Sequence, residues 1–223
     1  MIAVLASGLD PEAQALVAGW SSAGAALLSA EDLGSPGWVF DPGDPSSGVA
    51  VVAGRRIPIS SLRAVLTRRP AIVAEELSWI VPADRPYVAA ETNAFLVAWL
   101  SAVPCRVVNR STPTSLCGPA WNRVQWQAAA ARAGMPWVEC PRGEEFQTKP
   151  AEETETLVVC GECVLFARDA ATEAAARSLA HAAGVTLLSV RTYKGAICGA
   201  SVAPDLGNAA VRSALLDHLR GTA

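Results

Sequence analysis

The sequence predicts an α/β protein built on a mainly parallel sheet. Over the first 140 residues short apolar runs alternate with segments of helical spacing, the pattern of strands joined by crossover helices. Polar or Gly/Pro-marked loops follow three of those runs, at Ser7-Gly8, Arg68-Arg69-Pro70 and Asn109-Arg110-Ser111. Ligands of such sheets gather beyond the C-terminal strand ends, so these loops form the first candidate site.

The elements follow in order. Ile2 to Ala6 is an apolar run that stops at Ser7-Gly8. Asp10-Pro11 pairs an N-cap with a proline suited to the first helical position, and Leu16, Val17 and Trp20 lie on one face of the helix. Ala25 to Ala30 is a second strand. Residues 34 to 48, GSPGWVFDPGDPSSG, are loop with a short strand from Trp38 to Asp41. Val49 to Ala53 and Arg56 to Ile59 form a hairpin around Gly54, and Arg63 to Thr67 is a buried strand. Asp84 to Val103 is the longest helix, with Leu96, Trp99, Leu100 and Val103 at helical spacing. PCRVVN is the next strand.

The second half is shorter. ETLVVCGECVLFARD is a hairpin about a Gly161-Glu162 turn. Thr172 to Ala183 is a helix closed by Gly184. Val185 to Val190 and Ala196 to Val202 are strands, and Val211, Leu215, Leu216 and Leu219 mark a last helix. The stretch before the hairpin is polar and acidic without period. The expected organisation is an α/β domain over 1–140, a linker over 141–154 and a smaller α+β region over 155–223.

Composition narrows the function classes. With 223 residues, 51% of them hydrophobic and 17% charged, the chain can build a proper core. The apolar excess points to a subunit interface, as in a homo-oligomer. Net charge is −3 and the basic residues are scattered, which argues against a nucleic-acid surface. No run approaches the ~18 apolar residues of a membrane span. MIAVLASGLDP lacks the basic region of a signal peptide, so a cytoplasmic protein with six reduced cysteines is expected.

Several residues stand out as candidates. Arg68 and Arg69 end a strand at the ligand edge; they suit a clamp for an anion or a peptide carboxylate, or else a structural ion pair to Glu75 or Glu76. Cys160 and Cys163 form the one Cys-x-x-Cys; they suit half a zinc site completed by Cys140, Cys117 or Cys198, a redox pair, or plain packing. His181 sits near a helix C-terminus, where its role is with the helix dipole. Trp121 and Val124 share a spacing with Ala128 and read as core. Trp126 falls on another face near Asn122 and Arg123, and suits either core packing or an interface.

Three stretches together resemble the N-terminal half of ATP-grasp ligases that modify ribosomal peptides or add amino acids to protein tails. These are LRAVLTRRP, YVAAETNAFLVAWLSAVPCRVVNRSTP and AWNRVQWQAAAARAGMPW. The tail resembles that family in outline through TLVVCGECVLFARD, AAARSLAHAAGVTLLSVRTYKGAICGASVAPDLGN and AVRSALLDHLRG. The resemblance implies a pre-ATP-grasp domain followed by a reduced remnant of the ATP-grasp domain. It also exposes departures. Where the family has a lysine this chain has Arg123, a different phosphate partner. Lys149-Pro150 is followed by acidic AEETETLV instead of a glycine-rich phosphate loop. Where the family has Glu-hydrophobic-Asn as Mg ligands, this chain has Ser201-Val202-Ala203, with Asp205 misplaced. No room is left between Cys140 and Glu155 for the lobe that clamps adenine. The expectation is therefore a non-catalytic, ATP-grasp-like accessory protein without ATP, Mg or Zn, binding a peptide or protein partner through Arg68, Arg69, Asn109, Arg123 and Trp126. The alternatives are an ATP-grasp-related ligase or a protein with a remodelled site for a small anion, amino acid or nucleotide, and a cysteine-based metal or redox module.

Overall fold

Ile2–Leu5 (β1) and Ala64–Thr67 (β5) are buried along their whole length, as expected of inner strands in a parallel sheet covered on both faces. The computed structural model, which describes residues 1–139 and 154–221, places them side by side. Ala25–Leu28 (β2) pairs with β1, and Arg106–Val108 (β6) pairs with β5, giving a four-stranded parallel sheet in the order β2-β1-β5-β6. The chain moves outward from β1 to β2 and, later, outward in the other direction from β5 to β6. The topological switch point thus lies between β1 and β5, where a ligand crevice is expected.

Pro11–Gly19 (α1) follows β1. Asp10 caps it as expected, its Oδ1 accepting from the backbone of Glu12 and Ala13. Ala30–Gly34 (α2) is a short helix where the sequence predicted the end of a strand and a loop. Asp32 explains it. Its buried carboxylate accepts from Ser29 N in a capping box and from Ala53 N and Gly54 N in the turn of the next hairpin. That hairpin, Val49–Val52 (β3) with Arg55–Pro58 (β4), turns through Ala53 and Gly54, both at positive φ, the geometry a two-residue hairpin requires. The strand expected from Trp38 to Asp41 is reduced to an isolated bridge between Val39 and Val49.

Arg85–Ala102 (α3) has a proline in its first turn and ends before Pro104. Leu96, Trp99 and Leu100 are fully buried from it, and Trp38 meets Phe95 and Trp99 edge to face at 5.4 and 5.5 Å.

The chain divides into two compact units whose main bodies are Met1–Pro119 and Ala120–His218. The helix Arg123–Arg132 (α4) therefore belongs to the second. There Thr154–Cys160 (β7), Cys163–Leu165 (β8), Leu187–Tyr193 (β9) and Ala196–Ser201 (β10) form an antiparallel sheet in the order β10-β9-β7-β8. Ala170–Ala183 (α5) is capped by Asp169 and ends at Gly184 in the left-handed region, as the sequence predicted. With α4 it covers one sheet face, the one bearing Val159, Leu188, Val190 and Ile197. Ala209–Arg220 (α6) closes the chain. Of the stretch predicted as a linker, only Thr154 lies among the described residues, and it opens β7. Among the described residues, no helix is long and apolar enough to cross a membrane.

Candidate functional site

The parallel topology brings the loops after β1 and β5 together at the switch point, and charged side chains fill the space between them. Arg68 donates from Nε to Asp10 Oδ2 at 3.2 Å and from Nη2 to Glu12 Oε2 at 2.8 Å. Asp10 thus caps α1 with one oxygen and holds Arg68 with the other. Burial works to raise the Asp10 pKa, but the Ala13 N–H and the charge and hydrogen bond of Arg68 outweigh it and hold the carboxyl below its usual range.

Arg69 is buried and makes a two-pronged pair with Glu76, with Nη1 at 2.9 Å from Oε1 and Nη2 on Oε2. Its Nε donates to the Ala71 carbonyl at 2.8 Å. Glu76 also receives the Ser7 hydroxyl; burial alone would raise its pKa, but Arg69 and Ser7 bring it below the ordinary value. Of the two glutamates named as partners from sequence, Glu76 is the one used. Asp10 and Glu12 escaped notice because their visible role was to start a helix. Only the adjacency of β1 and β5 reveals their second one.

Asn109 follows β6 at a φ of 51° and is buried; a Cβ on Gly118 would lie 3.0 Å from its own Cβ. Arg110 donates to the Leu100 and Ser101 carbonyls, closing the C-terminus of α3. At the end of β5, Thr67 is a buried polar residue that sequence did not single out, and its hydroxyl has no hydrogen-bond partner among the described residues.

The other candidates lie in the second unit. Arg123 opens α4, is largely exposed and pairs with Glu139. Trp126 is core: it is 4% exposed and meets Trp121 edge to face at 4.9 Å. Val124, expected in the core, is 71% exposed, and Ala128 is exposed with it. The reason is the helix start. Asn122 is the N-cap, so Trp121 precedes the helix and its spacing to Val124 defines no face.

Cys160 and Cys163 face each other in register across the predicted hairpin turn. Cys160 is fully buried; burial, then the neighbouring Cys163 and Asp217, push its thiol up to about 12, so it stays protonated and is a weak nucleophile and ligand. Cys117 and Cys198 are buried too, and no group of three or more His, Cys, Asp or Glu suited to a metal occurs among the described residues. Cys140 lies outside them.

Ser201, at the first position the resemblance assigns to metal ligands, pairs in register with Ser189 of β9. Its hydroxyl accepts from Ala203 N at 3.2 Å, a local turn. Magnesium takes hard, charged oxygen ligands at near-octahedral geometry, and Ser201, Val202 and Ala203 offer no carboxylate. These three residues by themselves supply no charged ligand for a metal. A cavity of about 270 Å³ between α5 and the sheet is lined mainly by Met135, Leu157, Val190 and Ile197 with the alanines of α5, and also by Asp169, Thr172 and Thr192.

No family model matches the chain, and no curated protein matches it by sequence. Solved structures do. The ATP-grasp ligase PsnB complexed with a minimal precursor superposes with a TM-score of 0.68 at 13% identity, covering 99% of this chain and 98% of that one. The macrocyclase MdnC bound with precursor peptide MdnA, from Microcystis aeruginosa, gives 0.68 at 8%, covering 99% of each chain. A RiPP-associated ATP-grasp ligase from Chryseobacterium gregarium, in complex with ADP and a leader and core peptide, gives 0.66 at 10%, covering 100% and 97%. At these identities the likeness is one of fold. The chain has the fold of these ATP-grasp structures, as its sequence motifs suggested.

Proposed function

We propose that this protein is a non-catalytic ATP-grasp-like accessory factor that binds a peptide in a peptide-modification pathway. The observation that carries the reading is the Ser201-Val202-Ala203 strand end, which has groups bonded locally or apolar where the resemblance implies Glu and Asn as metal ligands. Phosphoryl transfer is mostly positioning and charge neutralisation, so a site without metal ligands loses most of its means of catalysis. Arg123 supports the same view. Its guanidinium pairs with Glu139, a carboxylate that would compete with a phosphate for it. The peptide half of the proposal draws on the fold shared with proteins solved with precursor, leader and core peptides.

The test is phosphate release from Mg-ATP by the full chain in the presence of a peptide carrying both carboxylate and lysine side chains. Release at the level of a protein-free blank is expected. Turnover that falls in Arg123→Ala would overturn the proposal.

A further inference from the structure

Val73, Trp79, Val81 and Tyr87 are four of the large hydrophobic residues that the chain leaves exposed, and all come from one stretch of the first unit. The stretch is ordered by its own bonds. Arg85 donates to the Ile80 and Ser78 carbonyls, Asp84 N to Val81 O, and Val88 N to Asp84 O. Trp79 also lies against α2, where a Cβ on Gly34 would come within 2.9 Å of its indole Nε1. An ordered segment that keeps a tryptophan, a tyrosine and two valines in water marks a contact surface, since Trp and Tyr anchor interfaces.

The charge beside this surface is mainly negative. Asp84, Tyr87 and Glu91 follow each other along one side of α3, at spacings of three and four. Glu75 lies two residues beyond Val73. None of Glu75, Asp84 and Glu91 has an ion-pair partner among the described residues, and Asp84 does not use its side chain to cap α3. Arg85, the cation of the stretch, spends its donors on backbone carbonyls.

We propose that this patch, with Trp79, Val81 and Tyr87 as its apolar floor and Glu75, Asp84 and Glu91 as its rim, docks an amphipathic peptide segment with apolar and Lys/Arg side chains. Apolar contact supplies the affinity, while the unpaired carboxylates select cationic partners. This rests on the peptide-binding reading above and adds the surface and the chemistry of the ligand.

The experiment uses the full chain and a labelled Leu/Lys peptide of about four helical turns, with a Leu/Glu peptide of the same apolar pattern as control, followed by fluorescence anisotropy. The Lys peptide is expected to bind, and the Glu peptide to bind about tenfold more weakly or less. Val81→Ser/Tyr87→Ser should weaken the Lys peptide by roughly tenfold without moving the melting temperature, since both side chains are exposed. Asp84→Asn/Glu91→Gln should remove the preference for Lys over Glu. Equal binding of both peptides overturns the cationic assignment. Binding unchanged by Val81→Ser/Tyr87→Ser overturns the patch but leaves peptide binding standing. Sedimentation showing a dimer that Val81→Ser/Tyr87→Ser dissociates makes a second copy the occupant and overturns the peptide. Phosphate release from Mg-ATP bears on the non-catalytic reading alone and leaves the docking result unaffected.

Discussion

Arg69→Met is expected to lower folding stability at neutral pH by about 3 kcal/mol, because it leaves the Glu76 carboxylate partly buried without its partner. The buried guanidinium makes three hydrogen bonds, two to Glu76 and one to Ala71, so the loss is a charge and a network together. The pH dependence follows from the direction of the Glu76 shift. Its folded-state pKa lies below the ordinary value of 4.5, so its contribution is fully present above that value and is lost as pH falls through the folded value. Urea denaturation at neutral pH and near pH ~3 should therefore show a wide gap between wild type and variant that narrows in acid. Arg69→Met/Glu76→Leu should regain most of the loss, since removing both charges leaves nothing to compensate. A gap of equal size at both pH values, with no recovery in the double variant, would mean that Arg69 is not held by Glu76.

Trp126→Ala should destabilise the second unit by about 3–5 kcal/mol, the usual range for removing a buried tryptophan. Trp126 contributes to one cluster with Ala129, Ala130, Leu179 and Leu188, and stacks edge to face on Trp121. Val124→Ala, on the exposed side of the same helix, should change stability by less than about 0.5 kcal/mol. Denaturant midpoints measured side by side decide the matter. A Trp126→Ala protein as stable as wild type, with altered peptide binding, would return this residue to a surface role.

The two tryptophans illustrate what a sequence can reveal. A helix face is legible once its start is known, and the face changes when the N-cap shifts by one residue. Trp121 looked like part of the helix, so Val124 was placed in the core with it, while Trp126 was left open between core packing and an interface. With Asn122 as the cap, Val124 is exposed and Trp126 is buried. Buried parallel strands were easier. IAVL and AVLT are apolar on both faces, so no alternation had to be interpreted. The Gly54, Gly161 and Gly184 turns were legible because each needs positive φ. The short helix α2 was not, because Asp32 stabilises it through a turn more than twenty residues away. The site was half legible. Glu76 as partner of Arg69 is local, whereas Asp10 and Glu12 reach Arg68 only through the pairing of β1 with β5. Trp79 drew no notice, since exposure in a loop leaves no periodic trace, and Tyr87 drew none because it stands on the exposed side of the first turn of α3.

The most direct test of the non-catalytic reading is a thermal-denaturation titration of the full chain with Mg-ATP, with Arg123→Ala beside it. A ligand at a hundredfold excess over its Kd adds about 2.7 kcal/mol of stability, a shift no titration would miss. The account expects the midpoint to stay with the nucleotide-free control in both proteins. A saturable rise in the wild type that disappears in Arg123→Ala would contradict it and would make this protein a nucleotide-binding member of its fold.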